Sequence, residues 1–358
     1  MTILNIRTAV LTLALASAAG CDAEDFGAGD VSLRPGQNGI LFNTSWIGTF
    51  DFGEFHDEFS TLHNDTMLQG VTVTSEYKGN YYSIPLQSVW AEDGQIFGKG
   101  DGQTFSGHQF DESVWSFQML IEGNKVDVTV KIKSVTDDGG KNWKYVFKHN
   151  YNATDANGNC LVSQSKEAKK GEESDGEGDD QECLIPVCQD DPDMIGEQYE
   201  AIVTEDITVD TVTGVIEKSA KPAMYWGCVS GAVGKAGNWG YRLEHLDHEH
   251  SMFEAAVRMV RADYCGTGDS FTTPGQQVTL TDIFGYNHLA QSYKTEAIWD
   301  PKGAACVYQP RLAAEWPDAL SVIKMCEQLG APRIPKECQY GDDLSTYADA
   351  LYWSANPS

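Results

Sequence analysis

The chain has 358 residues, enough for two domains of ordinary size that each bury a core of their own. Lys and Arg total 25 against 53 Asp and Glu, a formal net charge of -28, so most of the surface repels phosphate backbones and anionic headgroups, and nucleic acid is not expected as a partner. An acidic excess of this kind keeps a protein soluble and is not by itself a site.

Residues 1–21 carry targeting information. The amino terminus and Arg7 form a short positive region, Thr8 to Ala16 is an apolar run, and Ala18-Ala19-Gly20-Cys21 closes it with small residues before a cysteine. This order resembles a bacterial lipoprotein signal peptide over residues 1–20, which implies a diacylglycerol on Cys21 and cleavage just before it. An ordinary secretory signal cut near Ala19 is the alternative. The apolar run falls short of the roughly 20 residues that span a bilayer. Acyl chains on Cys21 are therefore the expected membrane anchor, and the bacterial cell envelope, on its periplasmic or surface side, is the expected location. Residues 21–38, rich in Asp, Gly and Ala without periodicity, read as a flexible tether.

Setting Cys21 aside from the nine cysteines leaves an even set: Cys160, Cys183, Cys188, Cys228, Cys265, Cys306, Cys326 and Cys338. In an exported chain that reads as a disulfide framework. Spacing leaves the connectivity open, although a helix, Gly330 and two prolines make Cys326 with Cys338 the most natural single pair. Cys183 and Cys188 lack a second pair at matching spacing, so a zinc-thiolate site is not expected.

Residues 39–160 predict a β-rich domain, a sandwich or small barrel. Alternating segments recur at Val71-Thr-Val-Thr, Ser113 to Ile121, Val126 to Ile132 and Trp143 to Phe147, separated by turn signals such as Glu122-Gly-Asn-Lys. Trp46, Trp90, Trp115 and Trp143 lie in or beside these strands and are expected to pack. Residues 161–190 form an acidic low-complexity insert, where Glu172, Glu173, Asp175, Glu177, Asp179, Asp180 and Glu182 crowd a stretch that offers nothing to bury.

Residues 191–358 predict an α+β domain. Strand-like alternation runs from Tyr199 to Lys218, and Met224 to Cys228 reads as a buried strand. The glycines of Gly231 to Arg242 suit a tight turn or close backbone approach. The stretch from His245 to Tyr264 contains the clearest helix, with Phe253, Ala256, Val257 and Val260 on one face, Ser251 and Glu254 as a capping box or Asp247 as a cap one turn earlier, and Gly266 or Gly268 as its stop. Arg258 and Arg261 lie one turn apart near its end, with Asp263 placed to pair with one of them. Further helices are expected over Pro317 to Gln328 and Asp343 to Trp353.

Two constellations carry chemistry. His245, His248 and His250 are the weak metal candidates, with His245 and His248 spaced to share a helix face. Cys265 at a helix end, with one of these histidines as base, would suit a cysteine hydrolase. Cysteine parity opposes this second reading, because it would leave an odd thiol in an oxidising compartment.

Arg261-Ala-Asp-Tyr-Cys-Gly266 and the residues around it resemble the signature of the ADYC domain, a bacterial family. Cys228-Val-Ser-Gly-Ala-Val-Gly-Lys235, Trp239-Gly-Tyr-Arg242, Arg258-Met-Val, Glu296-Ala-Ile-Trp299, Gly303-Ala-Ala-Cys306 and Arg311 extend the likeness. It implies an exported protein, often a lipoprotein, without an activity to carry over, and a structural role for Arg261, Ala262, Asp263, Tyr264, Cys265 and Gly266. Similar proteins carry cysteines where this chain has Ala236 and Ala256, and their joint replacement implies one disulfide fewer here.

The expectation is thus an α+β chain, with a β-rich N-terminal domain followed by a disulfide-bonded ADYC-type domain. It would serve as a lipid-anchored binding or structural module, taking an envelope protein or a glycan as partner and no cofactor. An extracytoplasmic hydrolase, metal-dependent or cysteine-dependent, is the alternative.

Overall fold

Alternating apolar and polar residues build a large part of the described chain into strands, and the three α-helices among the described residues come after residue 230. The computed structural model describes residues 41–42, 44–45, 47, 53–77, 80–121, 123–137, 142–150, 184–188, 200–287, 294–339 and 341–356. The signal segment 1–20, Cys21, the tether 21–38, Trp46, Cys160, Cys183 and nearly all of the insert 161–190 lie outside the described residues.

The largest sheet among the described residues is antiparallel. Its strands run in the order Glu54–His56, Ala223–Cys228, Glu200–Glu205, Trp143–His149, Asn124–Asp137, Val114–Ile121, Thr66–Tyr77 and Leu62–His63. Asn80–Pro85 pairs with Thr66–Tyr77, and Ile185–Pro186 pairs with Trp143–His149. Trp115 and Phe117 face Val130 and Val128 in register, so one side of the central strands is continuously apolar. Phe55 and Trp226 meet edge to face at 4.9 Å between ring centroids, and Phe147 stacks on Trp226 at 4.1 Å. A three-stranded meander, Ser88–Glu92, Gln95–Gly100 and Gln103–Ser106, adds Val89, Ile96 and Phe105 to the same core.

A second sheet orders its strands Leu41–Phe42, Gln277–Asp282, Tyr352–Asn356, Lys294–Asp300, Gly303–Val307 and Lys336–Glu337, the last pair parallel. Its Val278, Leu280, Trp299 and Tyr352 share a core with helices α1 (Ala232–Asn238), α2 (His250–Arg261) and α3 (Ala319–Gln328). The fold is therefore α+β with a β-rich part, as expected from the sequence.

The large sheet crosses the boundary read between 160 and 191. Glu200–Glu205 and Ala223–Cys228 belong by sequence to the second region, yet they lie beside Trp143–His149 and Glu54–His56. All six residues of Ala223–Cys228 are buried. Met224 and Trp226 enter the core of the large sheet, whereas Tyr225 enters the core around α2. A strand apolar on both sides carries no signal of which sheet claims it.

Local differences have local causes. The expected helix over Asp343 to Trp353 is a 3-10 turn, Leu344–Thr346, followed by the strand Tyr352–Asn356. Asp343 caps only that turn, and Tyr352 and Ser354 are drawn into the middle of a sheet where both are fully buried. Gly231 to Arg242 holds the short helix α1 in place of a turn. The expected close approach occurs at Gly234, where a Cβ would lie 2.1 Å from the carbonyl oxygen of Cys228. Helix α3 starts after Asp318, whose side chain accepts from the Ser321 N–H, and not at Pro317.

Candidate functional site

Helix α2 lies inside the span His245 to Tyr264 and begins at His250, because Leu243–Leu246 forms a separate 3-10 turn ended by Asp247 in the left-handed conformation. Phe253, Ala256, Val257 and Val260 make the expected buried stripe. Glu254 closes no capping box. It accepts from the Ile216 N–H at 2.9 Å and from Arg258 Nε and Nη2 at 2.9 and 2.5 Å. The helix ends earlier than its glycines suggested, at Ala262 with φ 52° and ψ 38°.

Asp263 organises the loop beyond the helix end. Its carboxylate accepts from Arg258 Nη1 at 3.0 Å, from the Thr267 N–H at 3.1 Å and from the Gly268 N–H at 2.9 Å, so Arg258 is the arginine that it pairs with. Arg261 turns away and donates to the Ser45 carbonyl at 3.0 Å. Gly266 comes next at φ 65°, where a Cβ would press 2.4 Å from the Lys302 carbonyl oxygen.

Tyr264 donates to Glu296 at 2.9 Å and accepts from the Arg311 N–H at 2.9 Å, while its ring stacks on Trp299 at 5.3 Å. Arg311 Nε and Nη2 reach Glu296 Oε1 at 2.9 and 2.8 Å. Its Nη1 and Nη2 also donate to the carbonyls of Val260 and Met259 at 3.0 and 2.9 Å, neutralising the negative end of α2. Burial, with Glu296 alongside, pushes the Tyr264 phenol far above its ordinary range.

Cys265, fully buried, is bonded to Cys326 of α3, and Cys306 to Cys338, just past the strand Lys336–Glu337. The Cys326 to Cys338 pairing read from chain reversal is thus replaced. The two residues lie on opposite sides of the sheet, Cys326 in the core with α2 and Cys338 in the small cluster with Ile298 and Ala305. A third bridge joins Cys188 to Cys228. A disulfide sulfur carries no thiolate, so Cys265 in this state is no nucleophile. Bridges of this kind belong to an extracytoplasmic protein.

The three histidines do not converge. His245 Nδ1 lies 2.8 Å from the Gly240 carbonyl, His250 Nε2 3.3 Å from the Asp206 carbonyl, and the largely exposed His248 has Nδ1 3.8 Å from Glu205. Among the described residues no group of three or more His, Cys, Asp and Glu is placed to hold a metal ion. Spacing along the chain could not foresee this, because Asp247 and His248 both take positive φ and break the helical register.

Other polar clusters were not legible. His63 Nε2 bonds Glu54, which also accepts from Asn64 Nδ2 at 3.0 Å and the Val209 N–H at 3.1 Å. Asn64 and Val209 edge an open groove of about 620 Å3 lined further by Thr208, Asp210 and Glu217. Glu205 and Glu244 lie with Arg242 beneath the Asp93-Gly94 turn, and Arg242 Nη2 donates to Asn142 and the Trp143 carbonyl at 2.5 and 2.8 Å.

A family model, the ADYC domain, matches residues 107–313. The chain belongs to the ADYC domain family. No curated protein and no solved structure matches it. The ADYC match begins in the 3-10 turn Gly107–Phe110 and ends just past Arg311, so it takes in strands of the large sheet together with α1 and α2. The motifs that carried the likeness span a narrower stretch, from Cys228 to Arg311. The wider match agrees with the sheet, which binds Val114–His149 to Glu200–Cys228 without a break. The ADYC letters themselves map onto the left-handed helix end, the loop-organising carboxylate, the stacked phenol and the bridging sulfur.

Proposed function

We propose that the chain is a binding or structural module of the bacterial envelope, held to a membrane by acyl chains on Cys21, with an envelope protein or glycan as partner. The supporting observation is that Arg258, Asp263, Glu296 and Arg311 direct hydrogen bonds to one another and to the backbone. A catalyst needs at least one group whose proton or lone pair is open to substrate. The family segment offers scaffolding.

A surface suited to a partner lies elsewhere. Asn80–Pro85 is paired on one side with Thr66–Tyr77, and its Tyr81 and Tyr82 are 75% and 50% exposed. Aromatics on such a strand can stack on a sugar ring or flank an added strand. The full chain, immobilised and exposed to envelope fractions and to purified cell-wall glycan, should retain a ligand that Y81A/Y82A does not, with the thermal midpoint unchanged. Equal retention by the variant would remove this surface from the reading. Hydrolysis of a generic ester or peptide substrate by the purified chain would overturn the non-enzymatic reading. A shift of the C21A variant from the membrane to the soluble fraction is the expected result for the anchor.

A further inference from the structure

The strand Asn80–Pro85 is joined to Thr66–Tyr77 in unbroken register, from Tyr77 opposite Asn80 to Thr72 opposite Pro85. One hydrogen bond fixes which of its backbone groups look outward. The Leu86 N–H donates to the Val71 carbonyl at 2.8 Å, so in this antiparallel pair the residues bonded across are Leu86 and then every second one, Ile84, Tyr82 and Asn80. Tyr81, Ser83 and Pro85 direct their main-chain groups away from Thr66–Tyr77. Pro85 has no N–H to leave unpaired on that side. Its carbonyl is met by the meander, since a Cβ on Gly100 would lie 2.9 Å from that oxygen. Tyr81 and Ser83 thus hold out an N–H and a carbonyl each, two residues apart, with no strand beside them among the described residues.

Proteins ordinarily guard such an edge by shortening it, bulging it or placing charge on it. The other edge strands of this sheet among the described residues are short: Glu54–His56 has three residues, and Leu62–His63 and Ile185–Pro186 have two each. Asn80–Pro85 has six, with no bulge and no charged side chain, and all but Ile84 are exposed. Its two tyrosines are consecutive, so they stand on opposite faces of the strand and do not combine into one platform for a sugar ring. They are placed to cover an added strand from both sides. Tyr82 shares its face with Ile84, which packs against the core of the large sheet, and Tyr81 stands on the other face.

We propose that Tyr81 and Ser83 take up an extended segment of another envelope protein as an added strand, with apolar side chains of that segment beside Tyr82 and Ile84 and Lys or Arg beside Tyr81. This rests on the reading of Asn80–Pro85 as the partner surface, and it narrows the partner to a polypeptide. The net charge of -28 sets the partner's charge, because a second copy of this chain is repelled and a basic segment is drawn in. A strand without charge of its own gives up no ion hydration when it is covered. The exposed Tyr81 ring offers its face to a cation, and the main chain of Tyr81 and Ser83 supplies hydrogen bonds that any extended backbone can match.

Peptide display on the full-length, disulfide-bonded chain tests the proposal. A library of random linear peptides is selected on immobilised wild type, and the strongest binder is synthesised. The selected sequences are expected to alternate apolar with basic residues; acidic sequences, unpatterned sequences or no enrichment would overturn the assignment. S83P removes one outward N–H and no bond to Thr66–Tyr77, and it keeps both rings. It should weaken the synthetic peptide by about tenfold or more, and binding within about twofold of wild type would sink the added strand. Peptides methylated on alternate amides give a second readout that needs no variant. Methylating one alternate set should abolish binding while the other set leaves it intact, and equal effects would overturn the ladder even where S83P does not fold. The underlying surface is scored separately. Loss of the envelope ligand by Y81A/Y82A but not by S83P keeps the surface and removes the added strand, whereas retention by both variants removes the surface as well.

Discussion

Arg311 is the side chain on which the buried polar contacts around α2 converge, since it neutralises Glu296 and closes the last carbonyls of the helix at once. Arg311→Ala would strand the fully buried Glu296 carboxylate without its counter-charge, and the expected loss is about 3–5 kcal/mol in urea unfolding. Arg311→Lys keeps the charge but not the planar fork, and should recover only part of that loss. That Asp263 pairs with one of the two helix-end arginines was legible because all three are neighbours along the chain, but that the partner is Arg258 was not. Glu296, Tyr264 and Arg311 were visible as family letters only. Their convergence depends on chain 15 to 47 residues apart being folded together, which no local spacing encodes.

At the scale of elements, periodicity was reliable where one face meets solvent and failed where both faces are covered. The strands Val114–Ile121 and Asn124–Asp137 alternate and were readable. Ala223–Cys228 was readable as a buried strand but gave no pattern to say which sheet holds it, and Tyr352–Asn356, enclosed by other strands, was read in part as the end of a helix. Helices α1 and α2 pack together, with Ala236 and Ala256 both fully buried between them and their shared core. The double variant A236C/A256C is expected to close a bridge there, leaving no additional free thiol on titration under denaturing, non-reducing conditions and raising the thermal midpoint. Two additional titratable thiols would show that the helices do not present these positions to each other.

For the whole molecule, a net charge of -28 on one chain means that the folded state carries self-repulsion that dilute salt relieves. Raising ionic strength from about 0.01 to 0.15 M, where the screening length falls from about 30 to 8 Å, should raise the thermal midpoint measurably. A midpoint that stays constant or falls would mean that local ion pairs outweigh the global term. At this scale the oxidising compartment was readable from cysteine number alone. The partners of Cys188, Cys265 and Cys306 were not, because each bridge closes a loop of 32 to 61 residues.

The place of Tyr352–Asn356 has a consequence for how the chain comes to be folded. This strand lies between Gln277–Asp282 and Lys294–Asp300 and bonds to both, yet it leaves the ribosome after every other strand of its sheet. Until it arrives, those two neighbours lack the strand that hydrogen-bonds them into one sheet, and each keeps an open edge. Completion of this sheet then awaits the arrival of these five residues, and a chain cut before Tyr352 is expected to leave the two neighbouring strands unpaired along the edges that face each other.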